Sequence, residues 1–296
     1  MSEPFRSGFA CLLGRPNTGK STLTNALVGT KVAITSDRPQ TTRHAIRGIV
    51  SRPHAQLVLI DTPGFHRPRT LLGQRLNDLV RATVAEVDVV VMCVPATDKV
   101  GPGDRFIAEQ LRAIAGRTTA IAVVTKCDLA SKDVIGARLL EVAELGEWAE
   151  IVPVSAVDGF QVGLLADLLV ARLPVGPPLY PDDELTDSPE AVMVAELIRE
   201  AALSGVRDEL PHSIAVVVEE LVRGEDRIDV HALMYVERES QKGIVIGTGG
   251  ERLKTVGTVA RRQIEALLGA QVYLDLRVKV AKDWQRDPKQ LHKLGF

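Results

Sequence analysis

Cysteine, aromatic side chains and long apolar runs are all scarce in this 296-residue chain, and each scarcity excludes something. The three cysteines, Cys11, Cys93 and Cys127, are odd in number, far apart and set in apolar surroundings. They predict reduced core thiols, not a disulfide framework or a cysteine metal cluster. Aromatic residues make up 4% of the chain, too few to suggest a sheet that stacks bases on rows of rings. The longest apolar run, Val87–Pro95, already contains Asp88 and falls far short of the ~18 residues of a membrane span. Met1–Ala10 shows neither an apolar h-region nor a cleavage site, so a cytoplasmic protein is expected.

Net charge is also nearly absent, at −2, but it is unevenly spread. Residues 181–240 hold 16 acidic against 5 basic side chains, whereas residues 241–296 hold 11 basic against 5 acidic. An acidic segment followed by a basic tail suggests a local polyanion-binding face as readily as it suggests unequal solvated surfaces. Hydrophobic residues at 45% and charged ones at 25% describe a folded chain, and its length suits two domains.

Proline marks the division. Leu173–Glu190 holds five of the 16 prolines and five acids, and proline can continue neither a helix nor a central strand. The expected domains are 1–175 and 191–296, with 176–190 as linker and its acids serving only solvation. Before the linker, strands expected at Gly8–Leu13, Ala45–Val50, Gln56–Ile60, Val87–Val94, Ala120–Val124 and Ile151–Val154 alternate with helices. The helices fall at Lys20–Val28, Leu71–Glu86, Gly103–Ala115, Lys132–Leu145 and Gln161–Arg172. This order predicts an α/β fold on a mostly parallel sheet, with an antiparallel hairpin at one edge across the short Ser51–Ala55 connection. After the linker come a helix (Ala191–Leu203), strands (His212–Leu221, Arg227–Glu237), a glycine loop, a helix and an alternating strand at Val272–Val280. That is a small α+β domain.

Gly14-Arg15-Pro16-Asn17-Thr18-Gly19-Lys20-Ser21 fits G-x-x-x-x-G-K-[ST] between a strand and a helix, with Thr22 just inside the helix. Its glycines let backbone N–H groups face phosphate oxygens, Lys20 neutralises the β- and γ-phosphates, and the Ser21 hydroxyl suits Mg²⁺. Asp61-Thr62-Pro63-Gly64 ends a buried strand, placing one carboxylate where it holds Mg²⁺ through water and the Gly64 N–H where it senses the γ-phosphate. Thr125-Lys126-Cys127-Asp128 and Ser155-Ala156 end two further strands. Guanine presents N1–H and N2–H₂ side by side, and the Asp128 carboxylate accepts both; adenine presents an acceptor there and is rejected. The Ala156 N–H suits guanine O6. Thr41 and Thr42, within Lys31–His44, are the alternatives for a switch hydroxyl that reaches Mg²⁺ only with the γ-phosphate present. Phe65 stands directly after Gly64, cannot orient water, and predicts slow hydrolysis.

These motifs, in this order, resemble the translation-factor class of GTPases, with Thr125 where N-K-x-D usually carries asparagine. The resemblance implies that Asn17 is a candidate K⁺ ligand. Farther on, Ile244-Val245-Ile246-Gly247-Thr248-Gly249-Gly250-Glu251-Arg252-Leu253 sets a G-x-x-G turn between an apolar strand and an amphipathic helix, among Lys242, Arg252 and Lys254. Such a turn admits a single-stranded RNA backbone.

With Val236-Glu237-Arg238-Glu239-Ser240-Gln241-Lys242-Gly243 leading into that loop, the chain from Gly8 to Phe296 resembles the Era family of bacterial GTPases, which carry a KH domain of type II. The resemblance implies binding of 16S rRNA near its 3′ end, assistance to 30S subunit assembly, and peripheral contact with the inner face of the membrane. RNA contacts would fall to Lys242, Gly247, Thr248, Gly249, Gly250, Arg252 and Lys254. No DNA partner is expected, and a monomer is. The alternatives are an RNA-binding module with a structural nucleotide site, and a small-molecule P-loop kinase.

Overall fold

The computed structural model describes residues 4–36, 38, 41–114, 118–204 and 210–296. Gln40 of the switch motif and Ala115, an expected helix end, lie outside the described residues. Two compact units divide the chain, with the main boundary between Asp187 and Ser188 and the short segment Arg69–Gly73 grouped with the second unit.

The first unit is built on a six-stranded sheet. Its elements are β1 (Arg6–Leu13), α1 (Lys20–Val28), β2 (Ile46–Arg52), β3 (Ala55–Asp61), α2 (Leu71–Glu86) and β4 (Val89–Pro95), then α3 (Pro102–Ile114), β5 (Thr119–Thr125), α4 (Lys132–Ala143), β6 (Glu150–Pro153) and α5 (Val162–Val170). Strand order is β2-β3-β1-β4-β5-β6, parallel throughout except for the β2–β3 hairpin at one edge. The central strands are apolar on both sides because helices cover both. Cys11, Leu13, Val90, Met92 and Val94 face Val80, Val84, Ile107 and Leu111 of α2 and α3. Ala10, Leu12, Val89, Val91 and Cys93 face Leu23 and Leu27 of α1 and Leu165 and Leu169 of α5. All three cysteines are free and buried, and burial pushes the Cys11 and Cys93 thiols up to about 12.

Residues 176–187 do not hang free. They run as a strap on the hairpin edge, where the Ile49 N–H donates to Leu185 O at 2.9 Å. Gln56, fully buried in β3, accepts from the Leu179 and Tyr180 N–H groups at 2.7 and 2.9 Å and donates to Tyr180 O at 2.9 Å. Asp187, expected only to be solvated, receives Arg47 and the Tyr180 hydroxyl, each at 2.8 Å.

The second unit holds α6 (Glu190–Leu203), α7 (Leu210–Ser213), β7 (Ala215–Arg223), β8 (Ile228–Val236), α8 (Glu239–Ile246), α9 (Glu251–Leu268), β9 (Val272–Val280) and α10 (Pro288–Lys293). Its sheet runs β7-β8-β9, with β7–β8 antiparallel and β8–β9 parallel. The strand expected from His212 begins at Ala215 instead, after a helical turn. A second correction concerns Ile244–Ile246, which end a helix and do not form a strand. Only Val245 of the three is buried, and a three-residue apolar run carries no period of its own.

Candidate functional site

Parallel strands deliver their C-terminal ends to one edge of the sheet, the place where open α/β folds bind ligands. Leu12 pairs with Asp61, Pro95 with Thr125, and Val124 with Pro153, so Asp61, Thr125 and Ser155 emerge together beside the loop that follows β1.

That loop is the Gly14–Ser21 segment. Gly19 enters α1 in the left-handed region (φ 88°), and no side chain caps the helix, which suits its N-terminus to phosphate oxygens. Asn17 is also left-handed, with φ 63°. Lys20 is buried, its Nζ donating to Gly14 O at 3.2 Å and Arg15 O at 2.8 Å. Burial lowers the pKa of its ammonium, against the opposing pull of Asp61. Thr18 Oγ1 donates to Arg15 O at 3.1 Å. Gly64 abuts this loop closely: a Cβ there would stand 2.7 Å from Pro16 N, so only glycine permits the approach.

The hydroxyls and carboxylate expected around Mg²⁺ converge. Ser21 Oγ donates to Asp61 Oδ2 at 2.6 Å, and Thr42 Oγ1 to the same oxygen at 3.1 Å. Ser21 and Thr42 hydroxyls lie 2.9 Å apart. Three hard oxygen donors in so small a space suit Mg²⁺. Thr41, next to Thr42 in sequence, is buried as well. Among the described residues no group of three His, Cys, Asp or Glu could hold a metal.

On the side expected to take the base lies a cavity of about 130 Å³ lined by residues that include Gly19, Thr22, Thr125, Lys126, Asp128 and Ala156. Ser155 Oγ donates to Asp128 Oδ1 at 2.8 Å and orients that carboxylate. Thr125, the departure from N-K-x-D, donates its hydroxyl to Thr18 O at 2.6 Å and so ties the base loop to the phosphate loop. Three motif residues turn elsewhere. Thr62 Oγ1 donates to Leu12 O at 2.6 Å, Cys127 Sγ to Val124 O at 3.2 Å, and buried Phe65 stacks on Phe106. Phe65 meets the phosphate loop through its N–H, which donates to Gly14 O at 3.1 Å. Pro63 is buried beside it.

One positioning contact had no signal in the sequence. Asp104 of α3, whose side chain is 0% exposed, accepts Arg15 Nε at 2.8 Å and the Gly101 N–H at 2.9 Å. Arg15 was legible as a motif residue; its partner, 89 residues away, was not.

In the second unit, α8 ends at Gly247, which has φ 74° and lies so near Arg252 that a Cβ would sit 2.7 Å from that residue's own Cβ. Thr248–Gly250 turn the chain into α9. Thr248 and Lys254 are exposed and Lys242 half-buried. The Arg252 guanidinium turns back to the end of α6, donating to Ser204 O at 3.0 Å and Ala202 O at 3.4 Å. Its charge therefore supports the loop from behind, and Lys242 and Lys254 carry the cationic flank.

A G-x-x-x-x-G-K-S loop at the C-terminal edge of a mostly parallel sheet, followed by a second unit with a helix–turn–helix on a three-stranded sheet, defines a P-loop GTPase with a C-terminal KH domain. A family model described as 50S ribosome-binding GTPase matches residues 9–126, and one described as KH domain matches residues 209–285. GTPase Era of Mycolicibacterium smegmatis is 69% identical over 296 residues, 99% of either chain. GTPase Era of Streptomyces coelicolor is 65% identical over 302 residues, 98% of this chain and 95% of that one. Among solved structures, Era in complex with MgGDPNP and nucleotides 1506–1542 of 16S ribosomal RNA matches with a TM-score of 0.93 at 35% identity, over 98% of this chain and 99% of that one. A variant of Aquifex aeolicus Era bound to GDP·AlF₄⁻ matches with a TM-score of 0.93 at 34% identity, over the same shares. The chain belongs to the Era family of GTPases and hydrolyses GTP. That membership removes the kinase alternative.

Proposed function

We propose that the chain is a GTP-dependent switch that binds 16S rRNA near its 3′ end and assists assembly of the small ribosomal subunit. The observation that carries the switch is the meeting of Ser21, Thr42 and Asp61. Thr42 belongs to the segment whose order would depend on the γ-phosphate. The RNA half is supported by the KH domain and by the solved Era bound to a 16S fragment. The family description naming the 50S subunit covers only residues 9–126, whereas the full-length relatives carry both units.

Mg²⁺ is the cofactor of this reading, supported by the MgGDPNP of that relative. The Ser21 and Thr42 hydroxyls would ligate it directly and Asp61 through water; its chemistry is to neutralise charge developing on the phosphates. Lys20 supplies the protein's own charge to the same oxygens. Asp128, held by Ser155, accepts the guanine N–H donors, and the Ala156 N–H meets O6. Asn17 is the candidate K⁺ ligand, tested by comparing hydrolysis in K⁺ and Na⁺. Phe65 supplies no polar group to the attacking water, so turnover is slow. The nucleotide domain is taken as 1–175, the linker as 176–190 and the KH domain as 191–296. No described helix is long and apolar enough to cross a membrane. Action in the cytoplasm, with peripheral contact at the inner membrane face, rests on the family resemblance.

The test is binding to a 16S 3′-end oligonucleotide with a GTP analogue, GDP or no nucleotide, at fixed salt because phosphate contacts are strongly ionic-strength dependent. Tight binding with the analogue alone is the expected result. Equal binding in all three states would refute the coupling and leave the alternative of a nucleotide site that is only structural.

A further inference from the structure

The KH unit carries a second groove that the G-x-x-G loop does not use. It lies at the opposite end of α9, where Gly269 leads into β9, and is a broad, open depression of about 630 Å³ bordered by Arg227, Arg261, Glu265 and Tyr273. That volume lies in the range of small-ligand sites. Tyr273 is 48% exposed, unusual for so large a ring, and the Arg227 guanidinium lies over it at 5.0 Å from the ring centroid. Arg227 is held there by Asp229, which accepts Nε at 2.8 Å. An exposed ring with a guanidinium held over it presents π-surfaces of the kind on which unpaired bases stack.

The cationic path to this groove starts at the first loop. Lys254 and Arg261 are both exposed and stand seven residues apart on α9, nearly two full turns, so they share one stripe of the helix about 10 Å long. Glu265, one turn beyond Arg261, also lines the groove. It accepts the Val272 N–H through Oε1 at 3.2 Å, which fixes the carboxylate in place. A fixed carboxylate accepts from an amino-bearing base edge and repels a carbonyl edge.

From this geometry we infer that the Arg227–Tyr273 pair, with Arg261 and Glu265, is a subsite for one unpaired, amino-bearing nucleotide lying outside the four that a G-x-x-G loop clamps. Its base stacks on the outer face of the Arg227–Tyr273 pair, its phosphate meets Arg261, and its exocyclic amine meets Glu265. The inference rests on the RNA-binding reading above and adds a second point of recognition to it.

The full chain, loaded with GTP analogue, would be titrated with 16S 3′-end oligonucleotides lengthened one nucleotide at a time from the shortest that binds. Affinity should step up about tenfold when one particular adenine, cytosine or guanine is added, the size expected of a stacked base. Tyr273→Ala should abolish that step without changing affinity for the shortest RNA, Tyr273→Phe should keep it, and replacing the added base by uracil should remove it. Absence of a step in the wild-type protein, or a step surviving in Tyr273→Ala, overturns the inference. Gly249→Asp separates the two levels. Loss of the shortest RNA's binding in that variant upholds the KH reading, and its retention would sink that reading whatever the groove does.

Discussion

Thr125→Val tests how the two halves of the nucleotide site are joined. Thr125 is 4% exposed, and its hydroxyl donates to Thr18 O at 2.6 Å. Valine keeps the shape and deletes the donor. A buried acceptor left without its partner costs about 1–3 kcal/mol. In the ligand-free chain the phosphate loop can relax and recover part of that cost; with nucleotide bound, both loops are held and the loss falls on binding. A net loss of about 1.4 kcal/mol corresponds to an affinity roughly tenfold weaker. The bond reaches neither Thr42 nor the γ-phosphate position. GTP and GDP should therefore weaken equally while turnover at saturating GTP stays unchanged, the pattern of lost uniform binding. Thr125→Asn replaces the hydroxyl with a longer amide donor and should hold affinity within about twofold. Fluorescent-nucleotide titration and single-turnover hydrolysis measure both quantities. Unchanged affinity in the valine variant, or a loss confined to GTP, would refute the reasoning.

Thr42→Ala should lower GTP turnover by about a hundredfold while GDP binding persists, and Thr41→Ala should do much less; steady-state hydrolysis with a GDP titration decides between them. Cys11 and Cys93, raised to about 12, should stay thiols and resist a thiol reagent at pH 8 until the chain is unfolded. Their raised pKa values mean the native state keeps protons that the unfolded state releases above the ordinary value of 9.0. Their contribution is thus fully present below pH ~9 and lost as pH climbs toward 12, seen as a falling melting temperature that alanine at both sites flattens. Gln56→Leu should destabilise the first unit by about 2–3 kcal/mol in urea unfolding, since it strands buried strap groups. Asp187→Asn, at a partly exposed pair, should cost under ~1 kcal/mol.

The nucleotide site was legible because its chemistry is local. A strand, a glycine loop and a helix are contiguous from Arg6 to Val28, and Asp61, Thr125 and Ser155 each end a short apolar run, so periodicity alone brings them to one sheet edge. What stayed hidden depends on partners far along the chain. Asp104 under Arg15, Gln56 gripping residues 179–180 and Arg252 turned to the end of α6 are contacts between residues tens to more than a hundred positions apart. The misread at Ile244–Ile246 is of another kind. Three β-branched residues favour a strand locally, but the Gln241 side chain accepts the Arg238 N–H at 3.1 Å, and that capping contact starts a helix. Packing of Val245 completes it.

The strap over β2 decides where this protein can be cut. Strand β2 bonds to a neighbour strand on one side only, and its other side would present free N–H and C=O groups, the template on which sheets of separate molecules join. Residues 176–187 shield that side, through Leu185 on Ile49 and Asp187 on Arg47. A nucleotide-binding fragment ending at residue 175 would carry every motif residue and still expose the hairpin edge and the amide of buried Gln56. Such a fragment should self-associate as its concentration rises, whereas one ending just after Asp187 should remain dispersed.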